Sequence, residues 1–324
     1  MRTMSDPDLW SNGGWKGWIP IFLVMLMATA LLIVYTNGPD TGNGDDGEEL
    51  HGPPEETTTT TFMNFTVDNN TVTNKNASGQ YRVYSIVPPK FSNKSANATL
   101  ERYFGPKVND TTLVFSNHND EVFALVGNDH TYLLNSDGRI MYTRNTEPPG
   151  YPVDSIANDS TLNNITRSRA LVESYINGTI GSEFSDFVFE KAKTSKSVRR
   201  QQESIFEYVF YYERMVDNIS CFRNSGGQIV VTISPDGTIN SFQYLKPEIN
   251  GGGVSSICNL TKAMKDVDAN FDVHSKNLLA GYDEYTLFYS ESTYGVVDGG
   301  LKVGWQLYFY CDDDKSKVSS TFIA

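Results

Sequence analysis

Histidines, cysteines and scattered carboxylates are the residues of this sequence best suited to chemistry. His118 and His130 lie twelve residues apart around a predicted hairpin, and with Asp120 or Asp129 they offer three potential metal ligands. A zinc site needs three or four ligands that converge on one point. Polar turn residues are the simpler interpretation of this spacing, so the sequence predicts no metal site.

Two motifs that mark common active sites, Gly-x-Ser-x-Gly and His-Glu-x-x-His, do not occur in this sequence. The glycine run 251–253 lacks the Lys and Ser/Thr of a phosphate loop and is interpreted as a flexible linker. The aspartates 312–314 lack the ligand spacing of a Ca²⁺ loop and are interpreted as a solvated turn.

A pair of catalytic carboxylates is also not indicated. Glu207 and Glu213 point to one face of a predicted strand but are six residues, roughly 20 Å, apart. The two acids of a glycoside hydrolase lie about 5–10 Å apart. We therefore expect no catalytic residue and no bound cofactor, and we expect that the protein is not an enzyme.

Cysteine chemistry is limited to Cys221, Cys258 and Cys311, which all lie in the C-terminal part of the chain. Disulfides persist outside the cytoplasm. Three cysteines allow one bridge and leave one thiol, and the sequence does not determine which pair forms. A bridge between Cys221 and Cys258 would close a loop of about 37 residues and stabilise the fold by a few kcal/mol.

A membrane anchor is predicted at residues 18–35, which form an apolar run of 18 residues without a charge. Such a helix spans about 27 Å, close to the hydrocarbon thickness of a bilayer. Arg2 and Lys16 precede the run, and the next basic residue is Lys75. This asymmetry predicts a cytoplasmic tail at 1–17 and everything after residue 35 outside. A cleaved signal peptide ending at Ala30 is the alternative, but the apolar run continues past that position.

Residues 36–79 are predicted to form a disordered stalk, acidic at first and rich in threonine at 57–61. Asn-x-Ser/Thr sequons begin within this segment, and none precedes the apolar run. There are 11 of them, against about 5 expected by chance. The candidate glycosylation sites are Asn64, Asn69, Asn76, Asn93, Asn97, Asn109, Asn158, Asn164, Asn177, Asn218 and Asn259.

The net charge of −13 argues against a nucleic-acid partner, because phosphate binding needs a basic surface. The acidic composition and dense sequons resemble archaeal cell-surface glycoproteins. The expected partners are the lipid bilayer, through 18–35, and another envelope or membrane protein.

Beyond residue 80 the pattern predicts an α+β fold. Amphipathic helices are expected at 95–104, 165–177 and 256–268, each followed by strands. Two Asp-Gly turns, at Gly138 and Gly237, lie 99 residues apart between β-forming segments. We therefore expect three helix-plus-antiparallel-meander modules, at 80–150, 151–250 and 251–324. An aromatic stripe at Phe206, Tyr208, Phe210 and Tyr212, and another from Trp305 to Cys311, are expected to pack against helices.

The helix, antiparallel strands and central Asp-Gly turn resemble the PepSY-like fold. Tandem modules behind one transmembrane helix resemble the auxiliary proteins that restrain a bacterial cell-wall sensor kinase. The segment from Gly281 to Leu307 is most similar to their last module, although the proline of that module's aliphatic-Pro-x-Trp strand is absent from Val303-Gly304-Trp305. The resemblance implies a non-catalytic binding or regulatory ectodomain. A structural envelope component or adhesin is the alternative, and a hydrolase outside the cell is less favoured.

Overall fold

The helices begin and end where local capping chemistry predicts. The first, α1, has a capping box in which the Ser92 hydroxyl accepts from the Ser95 amide and the Ser95 hydroxyl accepts from the Ser92 amide. It ends at Gly105, whose φ of 74° is readily adopted only by glycine. The Asn164 side chain caps the second long helix, and Gly181, with a φ of 60°, follows its end. The helices are α1 Asn93–Phe104, α2 Val153–Asn158, α3 Ile165–Ile180, α4 Leu260–Ala269 and α5 Phe271–His274, with a 3₁₀ helix at Gly181–Asp186.

Sixteen strands are seen in the computed structural model, which describes residues 62–74, 79–106, 108, 112–117, 122–199, 202–222, 226–274, 284–311 and 314–324. They are β1 Thr66–Asn74, β2 Gln80–Val87, β3 Thr112–Asn117, β4 Val122–Val126, β5 His130–Leu134, β6 Ile140–Arg144, β7 Tyr151–Pro152, β8 Phe187–Arg199, β9 Gln202–Val216, β10 Ile219–Ser220, β11 Gln228–Ile233, β12 Ile239–Leu245, β13 Glu248–Ser256, β14 Tyr285–Val297, β15 Gly300–Cys311 and β16 Asp314–Ile323.

The predicted membrane span at 18–35, the tail and residues 36–61 of the stalk lie outside the described residues. Within the described part of the chain, no helix is both long and apolar enough to cross a bilayer. The α+β class predicted from the sequence is confirmed.

The chain divides into two compact units. The larger comprises the described residues within Thr73–Ala263, Glu291–Gln306 and Phe322–Ala324, and the smaller comprises the described residues within 62–72, Met264–Ser290 and Leu307–Thr321. Strands β14, β15 and β16 have residues in both.

The larger unit contains a ten-stranded sheet whose main path runs β10-β9-β11-β12-β6-β5-β4-β3, with β7 and β8 also paired to β9. Strand β12 pairs with β6, so strands from the predicted first and second modules share one sheet. Residues at helical spacing on α1 and α3, among them Leu100, Val172 and Ile176, pack on one face of this sheet in a common core. The two Asp-Gly turns form as predicted, with φ of 86° at Gly138 and 88° at Gly237.

A second part of the larger unit is formed by β2, which pairs with β13 along its length and with β15 at Gly300 and Leu301. The glycine run predicted to be a linker at 251–253 lies inside β13, and that prediction is wrong. A Cβ on Gly252 would lie 2.9 Å from the Val83 carbonyl oxygen, so the close approach of β2 explains the glycine.

The aromatic stripes are buried as predicted, with one exception. Tyr208, Phe210 and Tyr212 belong to the core of the larger unit, and Trp305 is also buried. Phe206 does not belong to that core, because the register of β9 with β8 shifts at this residue and Ile205 takes the buried position instead. A β-bulge of this kind re-aims the side chains on one side of it.

In the smaller unit, β1 pairs with β14, β14 with β15, and β15 with β16. Phe65 is 4% exposed and its ring lies edge-on to Phe309, with 5.3 Å between the ring centroids. The segment before β1 is held to the end of α4 by Asp268, which accepts hydrogen bonds from the backbone amides of Met63 and Asn64.

Candidate functional site

Of the residues that the sequence singled out for metal chemistry, His130 and Asp129 are among those that the structure describes. The His130 ring packs against Tyr132 and Tyr142, with centroids 5.0 and 6.2 Å away. His118, Asp120 and two of the aspartates at 312–314 lie outside the described residues. Among the residues that are described, no group of three or more His, Cys, Asp or Glu is positioned to hold a metal ion.

Glu207 and Glu213 both lie on β9, opposite Ser195 and Val188 of β8. Glu207 is half-buried, and its Oε2 accepts a hydrogen bond from Asn240 Nδ2 at 3.2 Å. Burial raises the pKa of this carboxyl, although the bond from Asn240 opposes the shift. The structure does not bring the two carboxylates to a common point, as their spacing on the strand predicts.

None of the three cysteines takes part in a disulfide, so the single bridge expected from the sequence is not formed in this structure. Cys221 is buried among apolar neighbours that include Tyr294 and Leu301. Burial raises the pKa of its thiol to about 12, which makes it a poor nucleophile. Cys258 contributes its carbonyl oxygen to the core, where it accepts a hydrogen bond from Trp305 Nε1 at 2.8 Å.

The sequon asparagines whose side chains are described are all accessible to some degree. Six of them are exposed, and Asn97 on α1 is half-buried. Two others, Asn69 and Asn93, lie in β1 and at the start of α1, while Asn76 and Asn109 are outside the described residues. The six exposed residues are Asn64, Asn158, Asn164, Asn177, Asn218 and Asn259.

A cleft of 350 Å³ in the larger unit was not anticipated from the sequence. Its apolar walls come from the end of β2 and the loop after it, and from β6. Its polar side chains come from α1, the 3₁₀ helix and the end of β12. The lining residues are Val87, Pro89, Phe91, Thr99, Arg102, Tyr103, Asp137, Gly138, Ile140, Glu183, Tyr244, Lys246, Pro247 and Glu248.

Glu183 is the centre of the polar network in this cleft. Its Oε1 accepts from Arg102 Nη2 at 2.8 Å, and its Oε2 accepts from the Tyr244 hydroxyl at 2.5 Å. Lys246 Nζ lies 3.8 Å from the same Oε2 and 2.8 Å from Asp186 Oδ2. Glu183 therefore connects α1, the 3₁₀ helix and the end of β12.

The two tyrosines of the cleft are held in their protonated form. Burial, and then the hydrogen bond to Glu183, raise the pKa of Tyr244 above its ordinary value. Burial also raises the pKa of Tyr103, with a smaller contribution from the charge of Glu183. Their rings lie 5.7 Å apart, and the Arg102 guanidinium carbon lies 5.1 Å from the Tyr103 ring centroid. A cation at this distance from an aromatic face is attracted to it.

Most of the residues that line this cleft are polar or charged, and both oxygens of Glu183 are already paired. The apolar part of the lining comes mainly from Val87, Pro89, Phe91 and Ile140. This cleft could not be predicted from the sequence, because Arg102, Glu183 and Tyr244 come from distant segments with no shared motif.

Comparison with known proteins gave a weak structural likeness only. No family model matches the chain, and no curated protein matches it. Similar solved structures include YycH from Bacillus subtilis, with a TM-score of 0.34 and 12% identity over 79% of this chain and 53% of that chain. The C-terminal domain of YpeB from Bacillus megaterium has a TM-score of 0.32 and 8% identity, over 72% of this chain and 92% of that one.

This chain therefore spans about half the length of the YycH chain. The similarity to tandem PepSY-like modules that the sequence suggests stays a resemblance. The likeness to archaeal surface glycoproteins stays a prediction.

Proposed function

We propose that this chain is a single-pass membrane protein whose glycosylated ectodomain binds another envelope protein and regulates it without catalysis. In this proposal residues 18–35 form the anchor, the N-terminus is cytoplasmic, and the PepSY-like modules are extracellular. The observation that carries it is the cleft around Glu183, where this carboxylate is paired with Arg102 and Tyr244 and the apolar side chains beside them remain for contact with a partner.

The placement of the sequons supports the extracellular location. None of the sequon asparagines with described side chains is buried. By contrast Asn240, which is not part of a sequon, is buried and bonded to Ser234 and Glu207. Accessible sequons after the anchor, and none before it, are what an exported chain with N-linked sugars would need.

The binding role is tested by photo-crosslinking from inside the cleft. A photoreactive phenylalanine replaces Glu248, an exposed cleft residue at the start of β13, in the full-length chain in native membranes. The matched control carries the same group at Ser195, an exposed residue of β8 that does not line the cleft. We expect the Glu248 variant to give an adduct with one other envelope protein and the Ser195 variant to give none.

Adducts with this chain alone would instead indicate a structural coat, and the same adducts from both positions would contradict a role for the cleft. Glycopeptide mapping of the same membranes tests topology. Sugar on sequons after residue 60 is expected, and its absence from every one of them would contradict the extracellular location.

A further inference from the structure

The first described residues of the chain are clamped by a single carboxylate. Asp268, near the end of α4, accepts from the Met63 amide through Oδ1 and Oδ2, at 2.9 and 3.1 Å. Its Oδ1 also accepts from the Asn64 amide at 2.8 Å. Hydrogen bonds to a charged acceptor are about twice as strong as neutral ones, so this carboxylate fixes the backbone at 63–64.

The clamp places an aromatic anchor directly after it. Phe65 is buried against Phe309, and Phe62 stacks on Phe65 with ring centroids 4.7 Å apart. The next residue, Thr66, shares a hydroxyl–hydroxyl hydrogen bond of 2.9 Å with Thr286 of β14. Residues 62–66, which lie in the segment predicted to be a disordered stalk, are thus held to the rest of the smaller unit by one continuous set of contacts.

Asn64 is also a sequon, and its side chain belongs to the same clamp. Its Nδ2 donates to the Asp268 carbonyl oxygen at 2.8 Å and to Asp268 Oδ1 at 3.3 Å. An N-linked sugar replaces one hydrogen of this nitrogen, so its attachment would remove one of these bonds and insert a saccharide against α4. Asn158 differs, because its Nδ2 donates only to the Asp154 carbonyl within its own helix. Asn177 is exposed on α3.

We propose that Asn64 is a modification-controlled latch, in which the clamp on Asp268 and an N-linked glycan on Asn64 exclude each other. The folded chain holds the latch closed, and Asn64 stays without sugar while the exposed sequons are modified. The proposal rests on the extracellular location proposed above. It adds that one sequon asparagine, Asn64, serves to hold the start of the described chain to α4 and carries no sugar.

Site occupancy measured by glycopeptide mass spectrometry on the full-length chain from native membranes tests the latch. We expect Asn64 occupancy at least about fivefold below that of Asn177, because the charged clamp opposes modification. In the Asp268→Ala variant, Asn64 occupancy should rise to the level of Asn177. The control is Glu203→Ala, which removes an exposed carboxylate paired with Lys196 in the larger unit and should leave Asn64 unchanged.

Equal occupancy of Asn64 and Asn177 in the unaltered chain would overturn the latch and leave the proposed function standing. Absence of sugar from every sequon would overturn both. Hydrogen exchange adds a readout that is independent of sugar, on full-length chain produced without glycosylation. The amides of Met63 and Asn64 should exchange at least about tenfold faster in Asp268→Ala than in Glu203→Ala. Equal exchange in the two variants would show that no clamp exists, and would also overturn the latch.

Discussion

Replacing Glu183 with alanine removes the acceptor shared by α1 and the end of β12. The Tyr244 side chain is 4% exposed, and its hydroxyl would lose a charged acceptor at 2.5 Å. A hydrogen bond to a charged group contributes about 1.5–3 kcal/mol. The Arg102 side chain is 69% exposed, so its ion pair with Glu183 adds only about 0–1 kcal/mol. We therefore expect the free energy of unfolding to fall by about 1.5–4 kcal/mol.

Two companion variants separate the contributions. Glu183→Gln keeps an acceptor for Tyr244 but loses the charge, so the loss should be about half as large. Glu203→Ala removes an exposed ion pair with Lys196, whose members are 41% and 49% exposed, and should cost at most about 0.5 kcal/mol. Urea denaturation of residues 62–324, followed by circular dichroism, measures all three. A Glu183→Ala loss no larger than that of Glu203→Ala would refute the role given to this network.

Other variants and conditions test the packing. Gly304→Ala should lower the free energy of unfolding by about 1–3 kcal/mol, because its Cβ would collide with the backbone of β16. Gly178→Ala, in open space on α3, should raise it by about 0.5–1 kcal/mol. Urea melts must show these two changes in opposite directions. Leu100→Ala in the core should lower the free energy of unfolding by about 2–5 kcal/mol. Leu171 is 43% exposed, so Leu171→Ala should lower it by at most about 0.5 kcal/mol. Thermal melts that rank the two variants otherwise would contradict the core assignment. Stability should also fall as pH rises above about 10. The folded pKa of Tyr244 is raised above its unfolded value, so its stabilisation is complete below the unfolded pKa and is lost above it. A urea midpoint that stays constant from pH 8 to 11 would contradict this.

Much of the fold was predictable because its signals are local. Strand β9 alternates buried and half-buried residues along most of its length, and the aromatic positions show this in the sequence. The Asp-Gly turns were recognisable because only glycine readily adopts the positive φ at Gly138 and Gly237. Helix α3 carries Val172, Ile176 and Ile180 at a spacing of four, which predicts one buried face.

What was missed depends on contacts between distant segments. Strand β13 has few apolar residues, and its extended form comes from pairing with β2, more than 150 residues earlier. The same holds for the cleft, because Glu183 meets Arg102 and Tyr244 only after the sheet has assembled. The bulge that displaces Phe206 also follows from strand register, which local periodicity does not encode.

Because β6 pairs with β12, the two Asp-Gly hairpins of the ten-stranded sheet are related by a local symmetry. The two Asp-Gly turns lie 99 positions apart, and the bulge between Thr232 and Ile233 makes the shift 100 in the part of β12 that pairs with β6. Under that shift and exchange of strands, the pair Thr143–Ser241 becomes the pair Met141–Gln243, which is also present, and the pair Tyr142–Phe242 maps onto itself. The contact thus maps onto itself under a local pseudo-twofold axis. In an isologous dimer interface the same surface of each subunit contacts its own copy. Here the same kind of contact forms between two hairpins of one chain.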